Sequence, residues 1–175
     1  MHPKPSWRRI LSQVGLGLAL LWLSLVCLWY SVSTQILWAV GAGSLASTVY
    51  IVFMRPHAIA ARPRCIIGSY LVCAACGELF RFVTEWTSIA SIQLTFIELC
   101  ILSLAAVIAV GLFLIISKLT HLEHPPAAGL ALVAVLSEPD HGAVIAILVI
   151  ATVIAFIRKL GIKKLHDLLP PYTRL

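Results

Sequence analysis

The segment whose residue types are best suited to binding a ligand runs from His121 to Gly129 and reads His-Leu-Glu-His-Pro-Pro-Ala-Ala-Gly. Pro125 and Pro126 favour the first turn of a helix, because the N–H groups that proline lacks would have no partner there. The N–H groups that follow would face a cavity with the positive end of the helix dipole behind them, which favours an anion. They belong to Ala127, Ala128 and Gly129. The alternative is an ordinary helix start in a loop, with His124 as a solvated cap.

A second segment, from Gly41 to Thr48, combines small residues with hydroxyl groups. Small residues such as Gly43 let neighbouring helices approach closely, and hydroxyls can bind a substrate or satisfy backbone carbonyls. The candidate hydroxyls belong to Ser44, Ser47 and Thr48. Plain helix packing explains the same residues equally well.

Two carboxylates, Glu78 and Glu98, lie inside apolar segments, where charges are costly and usually functional. Glu78 has Arg81 one turn away, a spacing that predicts an ion pair near one membrane face. Glu98 has no basic residue within a turn and is the better candidate for a proton site. A proton-coupled transporter would place the proton on Glu98 or His124, and Glu98→Gln would then abolish the pH dependence of uptake.

The pair Cys73-x-x-Cys76 is compatible with a thiol oxidoreductase or a metal site, but no second cysteine pair or nearby histidine completes either one. Packing is the simpler interpretation of these cysteines. His121, His124 and His141 lack the spacing of metal ligands on one helix. We therefore expect no catalytic residue, no metal and no cofactor.

The composition indicates that these residues sit in a membrane protein. Hydrophobic residues make up 61% of the 175 residues and charged residues 11%, against about 25% charged in an average soluble domain. The apolar residues form long runs, which identifies lipid as the solvent. The net charge of +6 arises from clusters at the ends of these runs, so nucleic acid is not an expected partner.

Six apolar segments predict about six transmembrane helices in an all-α membrane protein. They run over about 10–30, 35–54, 65–83, 92–117, 127–137 and 143–157. The second is long enough to cross but rich in small residues, whereas the fifth, about eleven residues, reaches only half of the hydrocarbon core. With six crossings and the N-terminus inside, Arg81 is the only basic residue outside. The positive-inside rule therefore predicts cytoplasmic N- and C-termini, and a prokaryotic plasma membrane fits best.

Shifting the chain by 83 residues aligns Pro56 with Pro139 and the second segment with the fifth. This weak repeat predicts one transmembrane domain over 1–175, built from two inverted three-helix repeats at about 10–83 and 92–159, followed by a short basic cytoplasmic tail at 160–175. Inverted repeats with short or broken middle helices are typical of secondary transporters, whose substrate binds where those helices meet.

Three motifs make the chain resemble the HPP family of integral membrane proteins. They are His124-Pro125-Pro126-Ala127-Ala128-Gly129, Gly43-Ser44-Leu45-Ala46-Ser47 and Pro63-Arg64-Cys65-Ile66-Ile67-Gly68. The resemblance implies transport of a small anion, nitrite above all. Two departures from the family pattern, the later glycine at Gly129 and alanine at Ala46, would affect substrate choice or rate.

The leading hypothesis is thus a transporter or channel for nitrite or a similar monoanion, bound between the two small-residue segments, with Arg64 attracting it electrostatically on the cytoplasmic side. Two alternatives remain: a non-catalytic membrane subunit of a larger complex, and a membrane thiol oxidoreductase using Cys73 and Cys76. The expected partners are the lipid bilayer, the anion and a second copy of the chain in a homodimer.

Overall fold

The computed structural model describes residues 7–31, 35–86, 96–136 and 141–169. All of these residues lie in helices or in the turns between them, so the prediction of an all-α protein is confirmed. The α-helices are α1 Trp7–Ser31, α2 Gln35–Met54, α3 Pro63–Trp86, α4 Phe96–Thr120, α5 Ala128–Leu136 and α6 His141–Gly161. Two single 3-10 turns, Ile59–Ala61 and Pro125–Ala127, precede α3 and α5.

The helices follow the apolar segments, and α1, α3 and α6 extend a few residues past both ends of theirs. Four contain spans that are long and apolar enough to cross a membrane: Ile10–Leu28, Pro63–Trp86, Cys100–Thr120 and His141–Gly161. The exceptions are α2 and α5, as the sequence indicates, and the apolar part of each is shorter. The described part of α4 begins at Phe96, so the start of the predicted segment at residue 92 lies outside the described residues.

Helix α3 lies at the centre of the bundle, where it packs against α4, α5 and α6. Helix α2 packs against α1, α5 and α6, and α4 also packs against α5, so α5 lies among α2, α3 and α4. Leu45 of α2, Tyr70 of α3 and Ile147 of α6 are almost completely buried in one apolar cluster between these helices. The outward faces are apolar as well, as lipid requires.

Side-chain contacts bring the start of α1, the end of α2, the start of α3 and the ends of α4 and α6 together. We call this the basic end. It carries every basic residue of the described helices and connections except Arg81, which contacts His141 at the opposite end. The start of α1 and the end of α6 therefore lie on the same side, as six crossings require. The inverted symmetry of the two repeats stays a prediction.

Helix α5 can be short because it starts inside the bundle. It has nine residues, about 14 Å of helix, less than half of a hydrocarbon core of roughly 30 Å. The connection before it turns inward, and His124 meets Thr48, six residues or about 9 Å before the end of α2. The expectation of a short or broken fifth helix is thereby confirmed.

Close packing holds α5 against α3. A Cβ atom on Gly77 would lie 2.5 Å from the Cβ of Ala134 and 3.0 Å from the carbonyl oxygen of Ala131. No side chain larger than hydrogen fits there unless a helix moves. Gly77 thus lets the two helices touch at the backbone.

The segment 162–169, the described part of the predicted tail, is not detached from the bundle. The amide of Leu168 donates to the carbonyl of Met54 at 3.0 Å, and Leu165 is buried. The side chain of Gln13 in α1 bonds the backbone of His166 in both directions. This segment therefore covers the junction of α1 and α2 at the basic end.

Candidate functional site

The site is built around the connection 121–124, which begins with a defined helix end. The amide of Leu122 donates to the carbonyl of Ser117 at 3.1 Å, and His121 has a positive φ of 56°. This is the pattern of a Schellman ending of α4, in which one left-handed residue turns the chain away from the helix. The chain is thereby directed inward, toward α2 and α3.

The carbonyl oxygen of Leu122 then accepts three hydrogen bonds. The hydroxyl of Ser69 donates at 2.8 Å, the amide of His124 donates at 3.2 Å, and the hydroxyl of Ser117 donates as well. The Leu122 side chain lies over Gly68, where an added Cβ would approach its methyl groups to 2.8 Å. The first turns of α3 therefore hold this connection in place through Gly68 and Ser69.

His124 is buried, with 1% of its surface exposed, and both ring nitrogens have partners. Nδ1 lies 2.8 Å from the carbonyl oxygen of Ala60 and Nε2 lies 2.9 Å from Oγ1 of Thr48. Since a carbonyl can only accept, Nδ1 carries a proton and donates it to Ala60. One side chain thus joins the turn before α3, the middle of α2 and the start of the α5 segment.

His124 belongs to the connection and not to a spanning helix. Burial, which disfavours the charged form, lowers the pKa of His124 to about 4, and the hydrogen bond to Ala60 offsets part of this effect. The imidazole is therefore neutral near pH 7, and its Nε2 accepts a hydrogen bond from the Thr48 hydroxyl.

Three buried hydroxyls extend this contact into a network. Tyr70 OH lies 2.7 Å from Ser44 Oγ and 2.9 Å from Thr48 Oγ1, while Ser44 also donates to the carbonyl of Pro126 at 2.6 Å. The Thr48 hydroxyl lies 2.9 Å from the carbonyl of Ser44 in its own helix. With the Thr48–His124 contact these are five contacts, but three hydroxyls supply only three protons. The network has no proton to spare for an anion, so its role is to hold the α5 segment against α2 and α3.

The first N–H groups of the α5 segment are also engaged. The amide of Ala127 donates to the carbonyl of His124 at 3.1 Å, and the amide of Ala128 donates to the carbonyl of Pro125. Pro125 and Pro126 have no N–H to offer. An anion beside this turn would therefore interact with the helix dipole and nearby hydroxyls, and not with the N–H groups of Ala127 and Ala128.

A hollow of about 760 Å³ lies beside the network, open on one side. We call it the Ser47 hollow, and it lies between α2 and the proline turn. It is lined by Ala46, Ser47, Tyr50, Ile51, Pro125 and Pro126. Its hydroxyl groups belong to Ser47, which donates to the carbonyl of Gly43 at 2.9 Å, and to Tyr50, which is exposed. The predicted meeting point of the two small-residue segments thus contains a shallow, open hollow with two hydroxyls in its lining.

The other predicted substrate-binding residues lie around this centre at different depths. Gly43 is exposed on α2, Gly129 faces Val40 and Ser44 of α2, and Ala127 is buried. Arg64 lies at the start of α3, at the basic end, and belongs to neither the hollow nor the network.

Of the two carboxylates inside apolar segments, Glu78 lies away from this centre, beside Arg81 and His141. Glu78 forms an ion pair with Arg81 at 2.9 Å, as their spacing predicts, and Arg81 also lies 3.6 Å from Glu85. Glu98 is in the first turn of α4, but its side chain lies outside the described residues. Its role in proton coupling stays a prediction.

Cys73 and Cys76 are free thiols buried in the core, with 0% and 4% of their surface exposed. A catalytic thiol needs contact with its substrate, so this burial argues against the oxidoreductase alternative. Among the described residues, no group of three or more His, Cys, Asp or Glu side chains could hold a metal ion.

The site contains residues that the sequence alone does not single out. They are Tyr70 in the network and Ser69 and Ser117 beside Leu122. The sequence indicates the Thr48 hydroxyl but does not assign it to the site. The available signal was a polar Ser-Tyr pair inside an apolar segment, directly after the motif that ends at Gly68. Tyr50 gives no comparable signal, because a tyrosine near a helix end is common at membrane surfaces.

An apolar helical bundle with an inward connection and a half-length helix defines an all-α integral membrane protein, and its architecture fits a transporter or channel. A family model described as "HPP, transmembrane region" matches residues 2–167. The chain therefore belongs to the HPP transmembrane family. Comparisons with curated proteins and with solved structures find no match.

Proposed function

We propose that this protein is a transporter or channel for a small inorganic monoanion, nitrite above all, which passes through the Ser47 hollow. The observation that carries the proposal is the junction of the proline turn with α2, where Ser44 bonds Pro126 and His124 bonds Thr48. Substrate sites of many transporters lie where a broken helix starts inside the bundle. Nitrite itself is supported by the family resemblance of the three motifs.

The chemistry of the hollow suits a weakly hydrated monoanion better than a multivalent one. Its lining contains two neutral hydroxyl groups, those of Ser47 and Tyr50, and no basic or acidic side chain among the described residues. The Ser47 hydroxyl donates to the carbonyl of Gly43 in this structure and would have to rotate away from it to reach an anion. Neutral donors and a helix dipole can offset one negative charge and still release the ion, whereas a fixed cation would hold it longer. The arginines at the basic end, Arg64 among them, would raise the local anion concentration.

The neutral state of His124 restricts the ways in which protons could be coupled to transport. With a pKa of about 4, its ring stays largely uncharged between pH 5 and 8 in this conformation. A proton-coupled cycle would then depend on Glu98, or on a second conformation in which the network opens.

We further propose cytoplasmic N- and C-termini in a prokaryotic plasma membrane, and a homodimer. Sidedness is supported by the clustering of basic residues at one end. The dimer is supported by the open side of the Ser47 hollow and by the exposed small residues Gly43 and Ser47 beside it. A membrane subunit that packs against a larger partner is the second candidate, favoured by the same open face.

Uptake of nitrite into proteoliposomes containing the purified chain tests the proposed function. Nitrate, formate and chloride serve as competitors, and His124→Asn is compared with His121→Asn. Both variants make the same substitution, and asparagine tolerates the positive φ at residue 121. We expect saturable nitrite uptake that falls at least tenfold in His124→Asn and changes little in His121→Asn.

Absence of uptake for every anion, under several pH gradients and membrane potentials, would contradict the proposal and favour the subunit function. Equal uptake by both variants would show that the junction at His124 does not control transport.

A further inference from the structure

A second hollow, of about 600 Å³, lies at the basic end between the first turns of α1 and the segment 162–169. Its volume is within the range of small-molecule sites, roughly 300–1,000 Å³. Its lining includes Ser12, Leu16, Lys163, Lys164 and His166. This hollow is separate from the Ser47 hollow, and the proposed function makes no use of it.

The walls of this hollow are fixed by hydrogen bonds that are buried or partly buried. Gln13, 6% exposed, donates to the carbonyls of Phe53 and His166 and accepts a bond from the His166 amide at 3.1 Å. The amide of Leu168 is bonded to Met54. The hollow is thus formed by residues whose positions are fixed, and it is not a gap beside a loose tail.

Its charge is positive and unbalanced. Lys163 and Lys164 are exposed, and no acidic side chain of the described residues lines the hollow. Asp167, the nearest carboxylate in sequence, is occupied elsewhere: its Oδ1 lies 3.2 Å from the amide nitrogen and 3.4 Å from Nδ1 of His57. The hollow therefore offers the two ammonium groups of Lys163 and Lys164 to an oxyanion such as phosphate.

Its position favours a lipid over a free ion. The span of α1 begins at Ile10, and α6 ends at Gly161, so the hollow lies where the apolar segments begin. Ser12, Leu16 and Leu23 are spaced four and seven residues apart and share one face of α1. Leu16 and Leu23 are each 53% exposed, which forms an apolar track leading away from the lysines. A free phosphate would make no favourable contact with this apolar track, whereas an acyl chain would pack along it.

We propose that this hollow binds the phosphate group of an anionic phospholipid, with Lys163 and Lys164 on the headgroup and an acyl chain along Leu16 and Leu23. Basic pockets beside transmembrane helices are suited to such headgroups, and each lysine near a membrane surface contributes about a fivefold gain in affinity for anionic lipid. The bound lipid would hold the segment 162–169 against α1.

The test is native mass spectrometry of the full chain in detergent, titrated in parallel with phosphatidylglycerol, phosphatidylcholine and inorganic phosphate. The double variant Lys163→Gln/Lys164→Gln is compared with Lys118→Gln/Lys159→Gln, which removes the same charge from exposed positions outside the hollow. We expect wild type to retain phosphatidylglycerol in preference to the other two probes. The first variant should bind it roughly thirtyfold more weakly, and the second should bind like wild type.

Equal retention of phosphatidylcholine would show that the headgroup charge is not recognised. Retention of inorganic phosphate as strongly as the lipid would show that the apolar track has no role. An equal loss in both double variants would assign the effect to general surface charge. Each of these results would overturn the proposal, and none depends on whether the protein transports nitrite.

Discussion

At the scale of single residues, the His124 side chain joins three separate parts of the fold. It bonds Ala60 and Thr48, and its ring lies 5.7 Å from that of Tyr70. The sequence identified this residue through its neighbouring prolines but gave it a role in anion binding. Its burial and its two bonds favour a positioning role, which sequence spacing could not reveal because the partners are 64 and 76 residues away.

A neutral buried histidine makes stability depend on pH. The pKa of His124 falls from 6.5 in the unfolded chain to about 4 in the fold, so between these values the unfolded state binds a proton that the native state does not. The contribution of His124 to the free energy of unfolding is constant above pH 6.5 and decreases as the pH falls toward 4, by on the order of 3 kcal/mol. Thermal unfolding in detergent from about pH 7.5 to about pH 4.5 should show this loss, and His124→Asn should have a flatter profile than His121→Asn. Identical profiles for the two variants would exclude His124 as the source.

At the scale of helices, the sequence predicted the type and order of all six, and the bounds of α2 agree at both ends. The prediction succeeded because long apolar runs have few alternatives in a membrane. The depth at which α5 begins could not be predicted. It depends on the Schellman ending of α4 and on the Ser69 and Ser117 hydroxyls, and the Ser69 contact joins distant segments.

Gly77 provides a test of the α3–α5 contact. An added Cβ would meet the backbone of Ala131 and the Cβ of Ala134, which cannot move like the end of a flexible side chain. We expect Gly77→Ala to cost about 1–3 kcal/mol of stability and to lower the unfolding temperature. Gly111 supplies the control, because a Cβ added there would have no neighbouring atom within 4 Å outside its own stretch of helix. Gly111→Ala should be neutral or slightly stabilising, and equal effects of the two substitutions would contradict the close packing of α3 on α5.

At the scale of the whole molecule, the distribution of charge and the packing of the helices agree. The sequence placed all five lysines inside, at residues 4, 118, 159, 163 and 164. The four described ones follow the end of α6 or lie within the last turns of α4 and α6, all at the basic end. The sequence could not show that the segment 162–169 folds back onto α1, because Gln13 and His166 are 153 residues apart.

Sidedness can be measured with an amine reagent that does not cross membranes. If the basic end is cytoplasmic, the reagent should label the lysines in inside-out vesicles and leave them unlabelled in right-side-out vesicles. Peptide mass spectrometry of Lys118 and Lys159, which are exposed, gives the readout. Labelling of both in right-side-out vesicles would reverse the proposed orientation, and labelling of one alone would contradict the common end of α4 and α6.

The most direct test of anion passage through the Ser47 hollow is nitrite counterflow in proteoliposomes with the double variant Ser47→Ala/Tyr50→Phe. Both substitutions remove hydroxyls from the hollow and leave the network of His124 in place. Thr152→Val is the control, because Thr152 is an exposed hydroxyl on α6 that bonds the carbonyl of Leu148, as Ser47 bonds that of Gly43. A hydrogen bond to a charged group contributes about 1.5–3 kcal/mol. Removing both hydroxyls should therefore slow nitrite transport at least tenfold, while the unfolding temperature stays unchanged. Wild-type rates in the double variant would contradict passage of the anion through this hollow.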